Sequence, residues 1–364
     1  MKIYLLNLLL SFPYFSLMFP IFSFKNTPVK NINSNPCIKY TLKNKYCNKK
    51  YEDKIVLYNN NLEQETLFQL VEKKRIGFLK LIRFKNIIPT FLLCFSGGWV
   101  MSPSWFHLWT NIHFIVTTIS SIFIMSSSMI INDLFDVNID AFNMLKRPLV
   151  TGEVSKWEAI LYIFFLLNTT EFLSLYFLPP YLQDNIHFSI ISLLLYTPIF
   201  KKITFVKNIF CAFFVAFAVF LGGNASSHEI LSLQPNFNLF SILLSITFFG
   251  SLFNEIILDI RDYDGDKFYN VKTIPVLIGN DLTWIMTGII LFFSIVFNTF
   301  SLMYIKGLDT GCLLPFMYVP VLKQFFIIKQ KSYSRQSIVD LINASCGNTF
   351  IIILLFFYLQ ACIV

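Results

Sequence analysis

The chain has 364 residues, 55% of them hydrophobic and 14% charged, including 43 phenylalanines, and its mean hydropathy is +0.62. That composition excludes a disordered chain, a nucleic-acid-binding domain and an ordinary water-soluble enzyme, and makes the lipid bilayer the expected solvent. The formal charge of +8, from 29 Lys and Arg against 21 Asp and Glu, marks loops on the retained side of a membrane, not a nucleic-acid partner.

The first 24 residues are a single lysine followed by an apolar run broken by Pro13 and Pro20, the pattern of a secretory h-region. Lys25, Lys30, Lys39, Lys43, Lys45, Lys49 and Lys50 follow, and no acid precedes Glu52. A signal-like segment ahead of an Asn/Ser/Lys-rich, acid-free stretch resembles the bipartite leader of proteins sent to a complex plastid. Residues 1–70 are therefore set apart as a targeting leader with a basic segment, and residues 71–364 as one membrane domain. A plastid membrane is the expected location; an endomembrane or the mitochondrial inner membrane is the alternative.

A bilayer-crossing helix needs about 20 apolar residues. Nine runs qualify, near 87–105, 108–131, 157–178, 184–200, 205–223, 237–258, 282–305, 311–328 and 340–363, which predicts an all-α integral membrane bundle of nine transmembrane helices. Nine crossings gather Lys73, Lys74, Arg75, Lys80, Arg83 and Lys85, then Lys146 and Arg147, then Lys201 and Lys202, then Lys329, Lys331 and Arg335 on one side, with Lys306 the clear exception. That side is the cytosol, stroma or matrix. The seven cysteines form no C-x-x-C pair, so neither a zinc site nor a disulfide framework is expected. The paired glycines Gly97-Gly98 and Gly222-Gly223 read as helix-packing sites. His107, His113, His187 and His228 read as interfacial. Glu171, mid-span, reads as either a functional acid or a helix-packing hydrogen bond.

Eight of the acids fall in two windows. Asp133, Asp136 and Asp140 stand at relative positions 0, 3 and 7, and so do Asp259, Asp262 and Asp266. On a helix that spacing puts three carboxylates on one face, where they repel one another. Both sets end their spans on the same side. Two facing carboxylate clusters need a counter-charge, and a few monodentate acids suit Mg2+ better than the closed oxygen cage of Ca2+. Lys146 and Arg147 follow the first set, and Lys267 and Lys272 the second; a site for metal alone avoids such cations, whereas a site for metal plus an anion wants them. The implied ligand is a diphosphate with a long apolar tail in a Phe-rich groove. Its chemistry is ionisation of an allylic C–O bond and capture of the cation by an acceptor.

These residues carry a family resemblance. Asn132-Asp133-x-x-Asp136-x-x-x-Asp140 and Asp259-x-x-Asp262-x-x-x-Asp266 resemble the two Asp-rich motifs of the UbiA-type intramembrane prenyltransferases. Arg147-Pro148-x-x-Thr151-Gly152, Gly265-Asp266-Lys267 with Lys272-Thr273-Ile274-Pro275, Tyr196 with Lys201-Lys202 and Lys207-Asn208, and Arg83-Phe-Lys-Asn86 extend the match over residues 78–363. The resemblance implies a nine-helix bundle with both motifs facing one central cavity. It implies that the six aspartates hold magnesium-diphosphate, that Asn132 shares their site, and that Lys146, Arg147, Lys267 and Lys272 contact phosphate. It places Asn86 near the acceptor. Lys201 and Lys202 are either substrate contacts or topology anchors. The partners expected are a prenyl diphosphate of the geranylgeranyl or phytyl class, an unidentified acceptor and the lipid bilayer. The texture is nearest to the digeranylgeranylglyceryl-phosphate synthase and chlorophyll synthase branches, though Asn270 stands where many relatives have glycine. The alternative is a polytopic cation transporter or exchanger with two acidic ion sites.

Overall fold

A computed structural model describes residues 67–142, 146–227 and 236–361, so nearly all of the expected leader, with His228, lies outside the described residues. Among the described residues every regular element is helical: α1 (Leu67–Leu81), α2 (Ile87–Met101), α3 (Trp105–Thr110), α4 (Ile112–Phe142), α5 (Pro148–Thr151), α6 (Lys156–Phe177), α7 (Pro180–Tyr196), α8 (Val206–Ser226), α9 (Phe237–Arg261), α10 (Tyr263–Phe268), α11 (Ile274–Ile278), α12 (Asn280–Lys306), α13 (Leu308–Met317), α14 (Val319–Gln330) and α15 (Arg335–Ala361). Single 3₁₀ turns at Phe84–Asn86 and Phe200–Lys202 lead into α2 and α8.

The helix limits follow local chemistry. Ser155 and Glu158 form a reciprocal cap on α6: the Glu158 amide donates to Ser155 Oγ (3.2 Å) and the Ser155 amide to Glu158 Oε2 (2.7 Å). Pro315 and Pro320 break one apolar stretch into α13 and α14 at Tyr318, because proline removes an amide donor and crowds the preceding turn. Gly152, at φ +76°, ends α5 in the left-handed conformation glycine adopts without strain.

Seven segments among the described residues are long and apolar enough to cross a membrane: Ile112–Asn138, Lys156–Phe177, Val206–Ser226, Phe237–Arg261, Asn280–Lys306, Leu308–Gln330 and Arg335–Ala361. The chain is thus a multi-pass integral membrane protein. The other two expected spans are helices too, but shorter: α2 has 15 residues and α7 has 17. At 1.5 Å per residue these reach about 22 and 26 Å, less than the ~30 Å hydrocarbon core.

Two apolar cores meet at α2 and α8. One gathers Leu108, Phe114, Ile130, Ile163 and Ile186 from α3, α4, α6 and α7. The other gathers Phe240, Phe253, Phe325, Leu341 and Phe356 from α9, α14 and α15. The α2–α8 crossing is close because it is built on glycine. A Cβ on Gly97 would overlap the Val219 carbonyl, and one on Gly222 would overlap the Cys94 carbonyl. Small residues admit such backbone approach in lipid. Glu171 proves to be an inter-helix contact: His187 Nε2 lies 2.7 Å from Glu171 Oε1, tying α7 to α6.

Candidate active site

The first acid set sits on the last turns of α4, which runs 31 residues, about 46 Å, and so carries its end beyond the apolar window. Asp133, 1% exposed, accepts from Arg83 Nη2 at 2.8 Å. Asp136 Oδ2 accepts from Lys201 Nζ at 2.5 Å, and the same ammonium donates to Asn132 Oδ1 at 2.7 Å. Asp140 lies 3.9 Å from Arg147. Burial pushes the Asp140 carboxyl up, Arg147 opposes that, and Asp133 and Asp136 add to it.

The second set departs from the sequence expectation of three acids on one continuous helix. Helix α9 ends at Arg261, Asp262 is the junction, and Asp266 belongs to α10. Asp259 stands in the last turn of α9, where a carboxylate opposes the helix dipole, and Asp262 is drawn aside by Arg261 (2.7 Å). Backbone bonding still spans the junction, with the Asp266 amide donating to the Asp262 carbonyl at 3.0 Å. Asp259 is buried and accepts from Lys207 Nζ (2.7 Å) and Asn208 Nδ2 (2.9 Å). Burial pushes the Asp266 carboxyl up to about 6, partly offset by Lys207 and reinforced by Asp259. Asn270 holds φ +55°, the left-handed conformation in which asparagine substitutes for glycine at modest cost, so the turn keeps its backbone.

One connector serves both sets. The segment from Phe200 to Asn208 places Lys201 on Asp136 and Lys207 with Asn208 on Asp259. Thr204, between them, donates to the Lys272 carbonyl at 2.6 Å and ties the connector to the loop after the second motif. Arg83, the third cation, is held with φ +48°, a left-handed backbone that arginine rarely adopts, and its side chain reaches Asp133 from the turn before α2.

Beside the acid sets lies a cavity of about 370 Å³, lined by Asn132 of α4 and Glu255 of α9 but by none of the six aspartates. Its polar lining includes Arg83, Asn132, Tyr196 and Glu255, and its apolar lining includes Met129, Leu193, Phe210, Phe214, Phe217 and Leu221. The rings form a continuous file: Tyr196 and Phe210 stack at 5.2 Å, Phe210 and Phe214 approach to 4.8 Å, and Phe214 and Phe217 meet at 6.0 Å. Asn86 lies beside this cavity, donating to Met129 Sδ at 3.9 Å.

Other expected phosphate contacts are placed differently. Lys146, Lys202 and Lys272 are exposed. Lys267 folds over the Tyr263 ring (5.3 Å) and donates to its hydroxyl (3.2 Å). Arg83, Lys207 and Asn208, absent from the expected site residues, take the inner positions. Their signal in the sequence is a polar side chain within a turn of an apolar helix's start, where a residue without a partner is costly.

Among the described residues no three His, Cys, Asp or Glu side chains converge into a metal-binding group. The donor chemistry nevertheless suits a hard cation. Asp133 Oδ2 and Asn208 Oδ1 are buried acceptors without a hydrogen-bond partner, and Asp266 carries a desolvation penalty that positive charge would relieve.

A family model described as the UbiA prenyltransferase family matches residues 90–343. The chain belongs to the UbiA prenyltransferase family. It is a prenyltransferase of the membrane, and the transporter alternative falls. Curated relatives include digeranylgeranylglyceryl phosphate synthases of Sulfolobus acidocaldarius, 29% identical over 69% of this chain and 86% of that protein, and of Sulfurisphaera tokodaii, 30% identical over 64% and 82%. The fold is shared with a digeranylgeranylglyceryl phosphate synthase structure (TM-score 0.60, 22% identity, 78% of this chain and 98% of that one). It is shared also with a UbiA homolog from Archaeoglobus fulgidus bound to GPP and Mg2+ (TM-score 0.56, 20% identity, 78% and 99%).

Proposed function

We propose that this chain transfers a long isoprenoid group, of the geranylgeranyl or phytyl class, from its diphosphate to an acceptor, with Mg2+ as the required ion. The observation that carries the reading is the pair of acid sets, each given a lysine by one connector, on the two helices that lend Asn132 and Glu255 to a single aromatic cavity. Asp133, Asp136, Asp140, Asp259, Asp262 and Asp266, with Asn132, would hold Mg2+, which when bound supplies positive charge to the leaving diphosphate. Arg83, Lys201 and Lys207 stand within the same site and turn from the carboxylates to phosphate oxygens when substrate arrives. Arg147 serves the outer phosphate, and Lys146, Lys202, Lys267 and Lys272 line its approach. The ring file from Tyr196 to Phe217 receives the tail, excludes water and steadies the developing allylic cation, by roughly 0.5–2 kcal/mol per ring contact.

Nine crossings are part of this reading, with α2 and α7 as the short members, because nine put both acid sets and the basic loops on one side. Among acceptors in lipid, quinone or chlorophyll synthesis, a prenylated glyceryl phosphate is favoured by the names of the similar synthases. Residues 1–70 support delivery to a plastid-type membrane, which a fusion of that segment to a fluorescent protein tests directly.

The deciding experiment gives purified protein in detergent geranylgeranyl diphosphate, Mg2+ and a panel of chlorophyllide, homogentisate, a dihydroxynaphthoate and a prenylated glyceryl phosphate. Product with the last, abolished by chelator, is expected. Transfer that survives chelation, or no transfer to any acceptor, overturns the proposal.

A further inference from the structure

Glu255 is an acid of the cavity that the reading above leaves without a task. It precedes Asp259 by four residues, so it shares that face of α9 and lies one helical turn, about 6 Å, deeper in the membrane. Asp133, Asp136, Asp140, Asp259 and Asp262 each face a cation within 4 Å. Among the described residues no such ion pair is formed by Glu255, and the nearest lysine of the connector, Lys207, is given to Asp259. Its neighbour is instead the Cys211 thiol, which in turn meets the Tyr196 hydroxyl at 3.0 Å. All three residues line the cavity.

Depth assigns the role. With the diphosphate at the acid sets and the tail along the phenylalanines, the reacting carbon C1 lies between them, one turn inside Asp259. That is the level of Glu255. A carboxylate there, lining the cavity and forming no ion pair within 4 Å among the described residues, is placed to receive a proton beside C1.

We propose that Glu255 is the catalytic base that takes the acceptor's proton, and that the acceptor reacts through an alcohol; this rests on the prenyl-transfer reading above. As the C1–O bond to the diphosphate breaks, its electron pair leaves with pyrophosphate. An oxygen lone pair of the alcohol forms the new C1–O bond, and the O–H proton passes to the Glu255 carboxylate. The proton then leaves with pyrophosphate or water through the mouth of the cavity. Cys211 and Tyr196 are positioning residues, the thiol holding the carboxylate toward C1.

The test compares wild type with Glu255→Gln in three readings: binding of geranylgeranyl diphosphate with Mg2+, transfer to a glyceryl alcohol acceptor, and transfer to the thiol analogue of that acceptor at about pH 9, where a thiol of ordinary pKa (~8.5) is largely ionised and needs no base. Expected for Glu255→Gln are binding within about 3-fold of wild type, alcohol transfer lower by roughly 10²–10⁴-fold and thiol transfer within about 10-fold. Equal loss with alcohol and thiol, or undiminished alcohol transfer, overturns the role. Should the Gln variant fail to bind the diphosphate, Glu255→Asp is read by the same alcohol-to-thiol ratio, which must fall if the base has been withdrawn. A wild type that neither binds nor transfers the prenyl group removes the prenyl-transfer reading itself, whereas an active wild type with an equally active Gln variant removes only the base.

Discussion

At Asp133 a carboxylate is almost fully enclosed in a lipid-embedded bundle, and one guanidinium, from Arg83, answers its charge. Removing one member of such a pair strands the other. Arg83→Ala is therefore expected to cost about 3–5 kcal/mol, while Arg83→Ala with Asp133→Asn recovers part of that loss, read as thermal unfolding in detergent. Asp136 makes the contrasting case. Its charge is balanced by Lys201 and is less deeply enclosed, so Asp136→Asn should leave the unfolding temperature near wild type yet lower transfer by roughly 10²–10³-fold. Unchanged turnover in that variant would remove Asp136 from the diphosphate site. The aspartates could be read from sequence because their repeated 0, 3, 7 spacing is itself a geometric statement. Their partners could not. Which cation reaches Asp133 or Asp259 depends on a left-handed turn at Arg83 and on a connector that doubles back between two helices, and neither leaves a periodic trace.

The helices themselves were legible wherever an apolar run exceeded a bilayer's thickness. The sequence pattern misjudged α7 by about a turn, expecting 184–200 where the helix occupies Pro180–Tyr196, because Pro180 starts it early and the chain turns at Thr197 and Pro198. It also joined the second acid set into one helix that in fact breaks at Asp262. The glycine pairs were read correctly as packing sites, and they make a sharp expectation for the α2–α8 crossing. In Gly222→Val, atoms would meet the Cys94 backbone, which cannot rotate away as a flexible side chain does. A loss on the order of 1–3 kcal/mol or more, seen as reduced monodisperse yield in size-exclusion chromatography, is expected. Gly250→Ala, where nothing crowds the added methyl, should behave like wild type and serves as the control.

For the molecule as a whole, the two cores joined at α2 and α8 set where the cavity can be: between α4, α7, α8 and α9, at the seam. Sidedness is the property on which everything at the seam depends. With nine crossings, Lys202→Cys and Lys331→Cys should react with a membrane-impermeant maleimide from one face of sealed vesicles, and Lys306→Cys from the other. Lys85→Cys and Lys146→Cys should share the face of Lys202→Cys; Lys85 opposite Lys146 would mean that α2 does not cross, and Lys146 opposite Lys202 that α7 does not. The arrangement of charge along the sequence is the argument for this topology, since positive loops are sorted by the membrane rather than by packing. The cavity's polar lining was beyond such reasoning, because Arg83, Asn132, Tyr196 and Glu255 come from a turn and three helices that meet only in the folded bundle.

The connector between α7 and α8 holds a lysine against each acid set. Asp136 and Asp259 thus carry their own internal counter-ions and do not stand as bare anions in the bundle. On the proposed function, turnover becomes an exchange reaction: the incoming prenyl diphosphate must unseat two tethered ammonium groups, and the departing pyrophosphate is helped off by their return.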